Sequence, residues 1–285
     1  MKKISSEELK QIQLNVLCQF RNICEQEGFR YSLIGGSLIG AVRHQGFIPW
    51  DDDIDVGMPR PDYERFISYC RKHLDKRDDN YTAPCIPFGI VSHELDKRYK
   101  DLSAKIFDKR TICIERFANR WNCDYGVYVD IFAIDAIADT YEEALKRMNK
   151  IRLYRELLIA AQWKRYAKSI SDKKKSWYYE LARFGCYILS RFIDADQNVI
   201  KTEKYFRNND FEKTSFVALV NSPYRNKEII PSSVYKSYRT VFFEGEIFNA
   251  VEDYDTYLKA VFGDYMKLPP IEKRVTHHSF DAYWK

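Results

Sequence analysis

The sequence predicts an α+β fold: a mixed β-sheet flanked by helices, with a helical insertion. Three observations carry that expectation. A long amphipathic helix opens the chain, short strand patterns alternate with short helices as far as residue 133, and residues 140–207 read as predominantly helical.

The opening helix begins with a capping box from Ser5 to Glu8. It carries Leu9, Ile12, Val16, Phe20 and Ile23 on one stripe and stops at Gly28. Phe29 to Ile34 alternates apolar and polar residues and predicts a strand ending at Gly35-Gly36. Ser37 to Gln45 predicts a short helix closed by Gly46, after which the chain returns through Phe47-Ile48-Pro49-Trp50 into a strand over Asp53 to Met58. A helix follows over Pro59 to Leu74, with Tyr63, Phe66, Ile67 and Cys70 on one face. Strands are expected at Ala104 to Phe107, Thr111 to Ile114 and Val127 to Ala133. The helical stretch from Thr140 to Arg207 is broken at the lysine-rich KSISDKKK. Beyond it, Ser215 to Val220 reads as a strand, Arg239 to Phe248 as a strand pair, Asp253 to Phe262 as a helix, and the segment GDYMKLPPIEKRVTHHSF as a loop. No internal repeat or low-complexity linker divides the chain. Residues 1–139, 140–212 and 213–285 are therefore read as core, helical region and returning segment of what can be one continuous domain.

Composition narrows the class. With 45% hydrophobic and 31% charged residues, the chain is an ordinary globular protein able to bury a substantial core. Its seven cysteines are scattered without a C-x-x-C pair, which argues for reduced thiols and against a disulfide framework or a zinc site. The start, MKKISSEELK, leads into a polar helix, and no run approaches the ~18 apolar residues of a membrane span. A cytoplasmic location is expected. A net charge of +5 allows an anionic partner without demanding nucleic acid. Aromatic residues reach 15%, which fits a coding bias as well as aromatic surfaces for a sugar or a quaternary amine.

The chemistry concentrates in GGSLIGAVRHQGFIPWDDDIDVGM, residues 35 to 58. Asp51, Asp52, Asp53 and Asp55 repel one another unless a positive charge sits among them, most simply a metal ion. On a strand Asp53 and Asp55 point to the same side, about 6 to 7 Å apart at the backbone, close enough to share one ion or bridge two. Oxygen donors without histidine or cysteine favour Mg²⁺ or Mn²⁺ over zinc. Gly35, Gly36 and Ser37, between a strand and a helix, offer backbone N–H groups and a helix dipole to a phosphate. A lone Gly-Gly is usually a turn and a lone D-x-D often a solvated strand end. Together, separated by one short helix, they point to phosphoryl or nucleotidyl transfer.

The same stretch, continued as GGSLIGAVRHQGFIPWDDDIDVGMPRPDY, closely resembles the signature of the LicD family, choline-phosphate transferases of the nucleotidyltransferase superfamily related to the animal fukutin-related proteins. The resemblance extends through GVYVDIFAID at 126–135 and YLKAVFGDYMKLPPIEKRVTHH at 257–278. It implies a nucleotidyltransferase-like core over residues 1–139, with Asp53 and Asp55 as the metal pair and Gly36-Ser37 on the phosphate side. Such a core uses a third carboxylate from a neighbouring strand, and Asp130 is the choice. Independently, Asp130 interrupts an apolar strand where an uncompensated charge is costly; Asp135 competes with it.

Further candidates surround this centre. Arg43 suits a phosphate oxygen. His44 suits an acid or base, although a histidine near a helix C-terminus is equally explained by the dipole. Trp50 either stacks on a base or a choline or anchors its loop, and Lys105 is a candidate for the diphosphate. His277 and His278 lie in a segment that would serve as a lid or clamp. The basic, aromatic stretch from Trp163 to Phe192 suggests a solvated helical pair or contact with the inner face of an anionic membrane. The resemblance implies transfer of phosphocholine from CDP-choline to a hydroxyl of a glycan or lipid-linked glycan, such as a teichoic-acid or lipopolysaccharide precursor. Another CDP-alditol, or a nucleoside triphosphate with nucleotidyl transfer, fits the same aspartates. An inactive glycan- or nucleotide-binding module is disfavoured, because a chain freed from catalysis has no need to keep that repulsion.

Overall fold

One long strand organises the molecule. In a computed structural model, which describes the chain except residues 75–86, 117–119, 122, 167–176, 208 and 277–279, the strand patterns and helical stripes give the following succession. Helix α1 (Ser6–Glu27) leads through β1 (Ser32–Leu33) into α2 (Gly35–His44), β2 (Asp55–Pro59) and α3 (Arg60–His73). Strands β3 (Phe88–Val91), β4 (Ala104–Asp108), β5 (Thr111–Glu115) and β6 (Tyr128–Ala138) follow. Three helices come next: α4 (Tyr141–Gln162), α5 (Trp177–Leu189) and α6 (Ala195–Arg207). The chain closes with β7 (Phe216–Ala218), β8 (Ile229–Pro231), β9 (Tyr238–Phe243), β10 (Glu246–Val251), α7 (Tyr254–Phe262) and β11 (Phe280–Trp284).

Strand β6 is 11 residues long and buried along nearly its whole length, so it can hold partners on both edges. The sheet runs β1-β2-β6-β4-β3, and β7 and β8 extend it from the far end of β6. Only β2 runs parallel to β6; the other pairs are antiparallel, so the sheet is mixed and the fold is α+β. Phe20 of α1 meets Tyr31 and Phe66 of α3 edge-on at 5.1 and 5.2 Å between ring centroids, fastening both helices over the sheet. A hairpin of β9 and β10 and a pair of β5 with β11 complete the described strands.

Several boundaries differ from expectation, each for a local reason. Helix α1 keeps its expected ends, with the reciprocal Ser5–Glu8 cap and a left-handed Gly28. The Phe29–Ile34 pattern contributes only Ser32 and Leu33 to a ladder. Helix α2 starts at Gly35, so the glycines form its first turn instead of preceding it. At its other end Gln45, and not Gly46, takes the left-handed conformation, φ 56°. The cause is tertiary: the Gln45 carbonyl accepts from the Glu244 N–H at 2.9 Å, and Glu244 Oε1 accepts from the Phe47 N–H at 2.9 Å. Strand β2 begins at Asp55, leaving Asp53 just before it, and β6 continues past Ala133 to Ala138. The C-terminal loop ends in a strand, β11, which the sequence pattern did not announce, as it did not announce β3 or β8.

Candidate active site

The sheet register builds the site. Asp55 of β2 is the parallel partner of Asp130 on β6, and Lys105 of β4 is the antiparallel partner of Asp130 on its other side. Paired residues project to the same face, so Asp55, Asp130 and Lys105 form one row across three strands. The Asp130 N–H donates to the Ile54 carbonyl at 2.9 Å, which carries the pairing to the start of β2. Lys105 Nζ lies 2.6 Å from Asp130 Oδ1 and 3.6 Å from the centroid of the Tyr128 ring. Burial disfavours the Lys105 charge, but Asp130 and Glu115 outweigh it and hold its pKa above the ordinary value.

Just before β2, Asp51, Asp52 and Asp53 each offer a carboxylate oxygen, all within 4.8 Å of one another. Gln13 of α1 donates to the Asp52 carbonyl at 2.8 Å and the Asp51 N–H donates to the Ile48 carbonyl at 2.9 Å, which fixes this loop. Helix α2 points its first turn at the carboxylates. A side-chain carbon on Gly36 would lie 2.5 Å from Asp51 Oδ2, and one on Gly35, whose φ is 56°, would lie 3.3 Å from Asp55 Oδ2. Only glycine admits so close an approach without displacing the acids. The Gly35 N–H donates to the Tyr257 hydroxyl at 3.3 Å. The buried Ser37 hydroxyl accepts from the Asp55 N–H at 2.9 Å, so Ser37 locks α2 to β2.

A cavity of about 930 Å³ opens over these residues. Asp51, Asp53, Asp55 and Asp130 line it together with Gly35, Gly36, Trp50 and Arg43, and Lys267 and Lys273 add cationic side chains. Its size suits a nucleotide-sized ligand. Among the described residues no histidine or cysteine lines it, and a converging set of carboxylate oxygens is the donor set of a hard divalent cation such as Mg²⁺ or Mn²⁺. The local field is negative: burial first, then Glu228, Asp51, Asp55 and Asp53, push the pKa of the Tyr224 hydroxyl up.

Other expected residues sit differently. Lys105 faces a neighbouring cavity of about 210 Å³ with Tyr99, Glu115, Tyr125 and Tyr128, and it meets the large cavity only through Asp130, which lines both. His44 does not line the large cavity; its Nε2 lies 3.0 Å from Arg43 Nε, and burial and that cation hold its pKa below the ordinary value. Arg43 donates to the Tyr265 carbonyl, and Arg274 lies over the Trp50 ring at 5.3 Å, so Trp50 also anchors the segment beyond α7. Thr276 donates to the Trp50 carbonyl at 3.2 Å. Asp135, the competitor of Asp130, is buried against Arg60 in a two-pronged ion pair at 2.6 and 2.8 Å. His277 and His278 lie outside the described residues.

Glu228 carries no signal in the sequence. This carboxyl lines the cavity at 3% exposure, accepts from the Ser222 hydroxyl at 2.6 Å, and has its pKa pushed by burial to about 7. Tyr257 likewise reaches the site from α7, more than 200 residues after the glycines it touches. Neither residue belongs to a local pattern, and only the closure of the chain brings them in.

Comparison with known proteins bears on the whole of this arrangement. A family model described as LicD/FKTN/FKRP, nucleotidyltransferase domain, matches residues 28–157, the span that supplies the glycines, Asp51, Asp53, Asp55 and Asp130 of the cavity, and Lys105. The lipopolysaccharide cholinephosphotransferase LicD of Haemophilus influenzae is 31% identical over 287 residues, covering 99% of both chains. An uncharacterized protein of Rickettsia prowazekii is 26% identical over 171 residues, 48% of this chain and 64% of its own. The human ribitol 5-phosphate transferase FKRP shares 56% identity over 36 residues, 13% of this chain and 7% of its own. A likeness that runs from end to end, with the aspartate and glycine elements inside the matched domain, means that this chain belongs to the LicD family.

Proposed function

We propose that this phosphotransferase moves phosphocholine from CDP-choline to a hydroxyl of a cell-surface glycan, a lipopolysaccharide or teichoic-acid precursor, and that residues 1–139 serve as a nucleotidyltransferase-like core. The observation that carries the reading is the large cavity in which four aspartates meet the glycine turn of α2. The full-length likeness to a lipopolysaccharide cholinephosphotransferase supports the choice of phosphocholine.

In this reading Asp53, Asp55 and Asp130 hold Mg²⁺ or Mn²⁺, which supplies charge neutralisation for the transferred phosphate and the departing nucleotide. The first turn of α2, where backbone N–H groups lack helical partners, binds phosphate oxygens. Arg43 and Lys273 balance the remaining negative charge, and Lys105 acts at one remove by holding Asp130 in position. The acceptor oxygen forms a bond to the phosphorus that bears choline, the bond from that phosphorus to the CMP oxygen breaks, and Asp130 takes the hydroxyl proton. The aromatic walls Trp50, Tyr224, Phe262 and Tyr265 offer faces to the cytosine and to the trimethylammonium group.

The short, strong likeness to a ribitol 5-phosphate transferase favours one second reading, with a CDP-alditol as donor. Calorimetric titration with CDP-choline and CDP-ribitol, each with and without Mg²⁺, separates the two. Metal-dependent binding of CDP-choline alone is the expected result. Binding of CDP-ribitol alone would transfer the proposal to the second donor, and binding of neither would remove both.

A further inference from the structure

Helix α5 is amphipathic in the wrong direction for a helix of a solitary globular protein. Trp177, Leu181, Phe184 and Ile188 recur at helical spacing along one side, yet α5 buries no residue, and these four are 77, 60, 44 and 41% exposed. Leu189 and Phe192 continue the surface at 54 and 84% exposure. The opposite side of α5 faces α4 across a groove of about 550 Å³, lined by Tyr179, Arg183 and Cys186 from α5 and by Arg152, Leu153 and Trp163 from the α4 side. The charged residues of α5, Glu180 and Arg183, are also turned inward: Glu180 accepts from the Tyr166 hydroxyl at 2.6 Å, and the Arg183 guanidinium lies over the Trp163 ring at 4.9 Å. The outer stripe is therefore apolar and uncharged over three turns, with Phe184, whose ring meets Tyr166 edge-on at 5.2 Å, at its inner margin.

Isolated exposed apolar side chains are ordinary, but a contiguous stripe of this length marks a contact surface. Charge identifies what covers it. Residues 141–207 contain sixteen lysines and arginines against eight aspartates and glutamates, a net +8, where the whole chain is +5, so the rest of the molecule is net negative. A second copy seated on this face would bring two strongly basic regions together. An anionic lipid surface meets both features, since it takes up the apolar stripe and attracts the net positive charge of residues 141–207. Tryptophan at one end of the stripe, with Tyr178 beside it at 66% exposure, matches the amphipathic rings preferred at a lipid–water boundary.

We propose that the outer face of α5 and the turn after it, from Trp177 to Phe192, docks this protein on the surface of an anionic lipid bilayer, lying in the interface without crossing it. The proposal is independent of which donor the active site uses. It is tested by co-sedimentation of the full chain with vesicles of phosphatidylglycerol and phosphatidylcholine, against vesicles of phosphatidylcholine alone. The expected result is binding to the anionic vesicles, weakened by salt and reduced at least tenfold in the Leu181→Glu/Ile188→Glu variant. Both substitutions are at exposed positions, so circular dichroism and turnover of a water-soluble donor should match the parent protein. Failure of the parent protein to bind anionic vesicles, or equal binding by the variant, overturns the proposal. So does a parent dimer in solution that the variant converts to monomer, because the stripe would then belong to a second copy.

Discussion

Two residues carry the clearest prediction of chemistry. Asp53 and Asp55 line the same cavity from positions partly open to solvent, so asparagine should fit each site without loss of packing. Asp53→Asn and Asp55→Asn are each expected to lower turnover by at least about 10³-fold with a metal-free unfolding midpoint no lower than the parent's, since each removes a proposed metal-holding carboxylate and relieves repulsion among the acids. A variant with the parent's turnover would end the proposed metal role for that residue. Glu228 carries a prediction of stability. Burial raises its pKa from an ordinary 4.5 to about 7, so between those values the folded protein holds a proton that the unfolded chain has released. Stability should therefore fall as pH rises from about 4.5 through about 7. Glu228→Gln keeps an acceptor for the Ser222 hydroxyl and carries no charge. Its advantage over the parent in urea unfolding should be near zero at pH 5 and grow to about 2–3 kcal/mol at pH 8. A gap that does not change with pH would show that burial of this carboxylate is not its cause. Asp53 and Asp55 were legible because they are neighbours in sequence; Glu228 was not, because an isolated glutamate in a polar stretch looks like any surface acid.

Elements were legible in proportion to their periodicity. Helix α1 was read with both ends, since its cap, stripe and terminal glycine all lie within the segment. The β9–β10 hairpin was read as a pair, and its two-residue turn at Glu244-Gly245 has the two positive φ values of the tight turn that suits twisted strands. Strand β6 was read too short, because a run of apolar residues sets no end of its own. The two acids in that run separate only through their cross-strand and helical neighbours: Asp130 meets Asp55 and Lys105, while Asp135 meets Arg60 at the start of α3. The second pair is buried on both sides, at 8% exposure for Arg60 and 3% for Asp135. Asp135→Asn leaves the guanidinium buried without its counter-charge and is expected to cost about 3–5 kcal/mol in chemical denaturation. The fall in turnover, measured well below the unfolding transition, should be small beside that of Asp55→Asn. A loss of activity equal to that of Asp55→Asn in a stable protein would place Asp135 in the chemistry instead.

At the scale of the whole molecule, the two ends of the chain are joined. Strand β11 pairs with β5, Lys3 bridges to Tyr283, the Ile4 N–H donates to the Ala282 carbonyl at 2.9 Å and the Trp284 N–H to the Lys2 carbonyl at 2.9 Å. Deleting residues 280–285 removes this seam and is expected to lower the melting temperature by several degrees, as a loss of about 1–3 kcal/mol would. An unchanged midpoint would mean that the seam forms without stabilising the fold. Among the described residues no helix is long and apolar enough to cross a membrane. The sequence by itself determined the α+β class, the opening helix, and the clustering of glycines and aspartates in one stretch, because caps, periodicities and local charge repulsion act over a few residues. The tertiary structure alone decided that Asp130 stands beside Asp55 while Asp135 is committed to Arg60, that Lys105 turns toward a second cavity, and that Glu228 and Tyr257 close the site from the far end of the chain. Those outcomes depend on register and packing between distant segments, where the free energy resides in contacts that no single stretch of sequence contains.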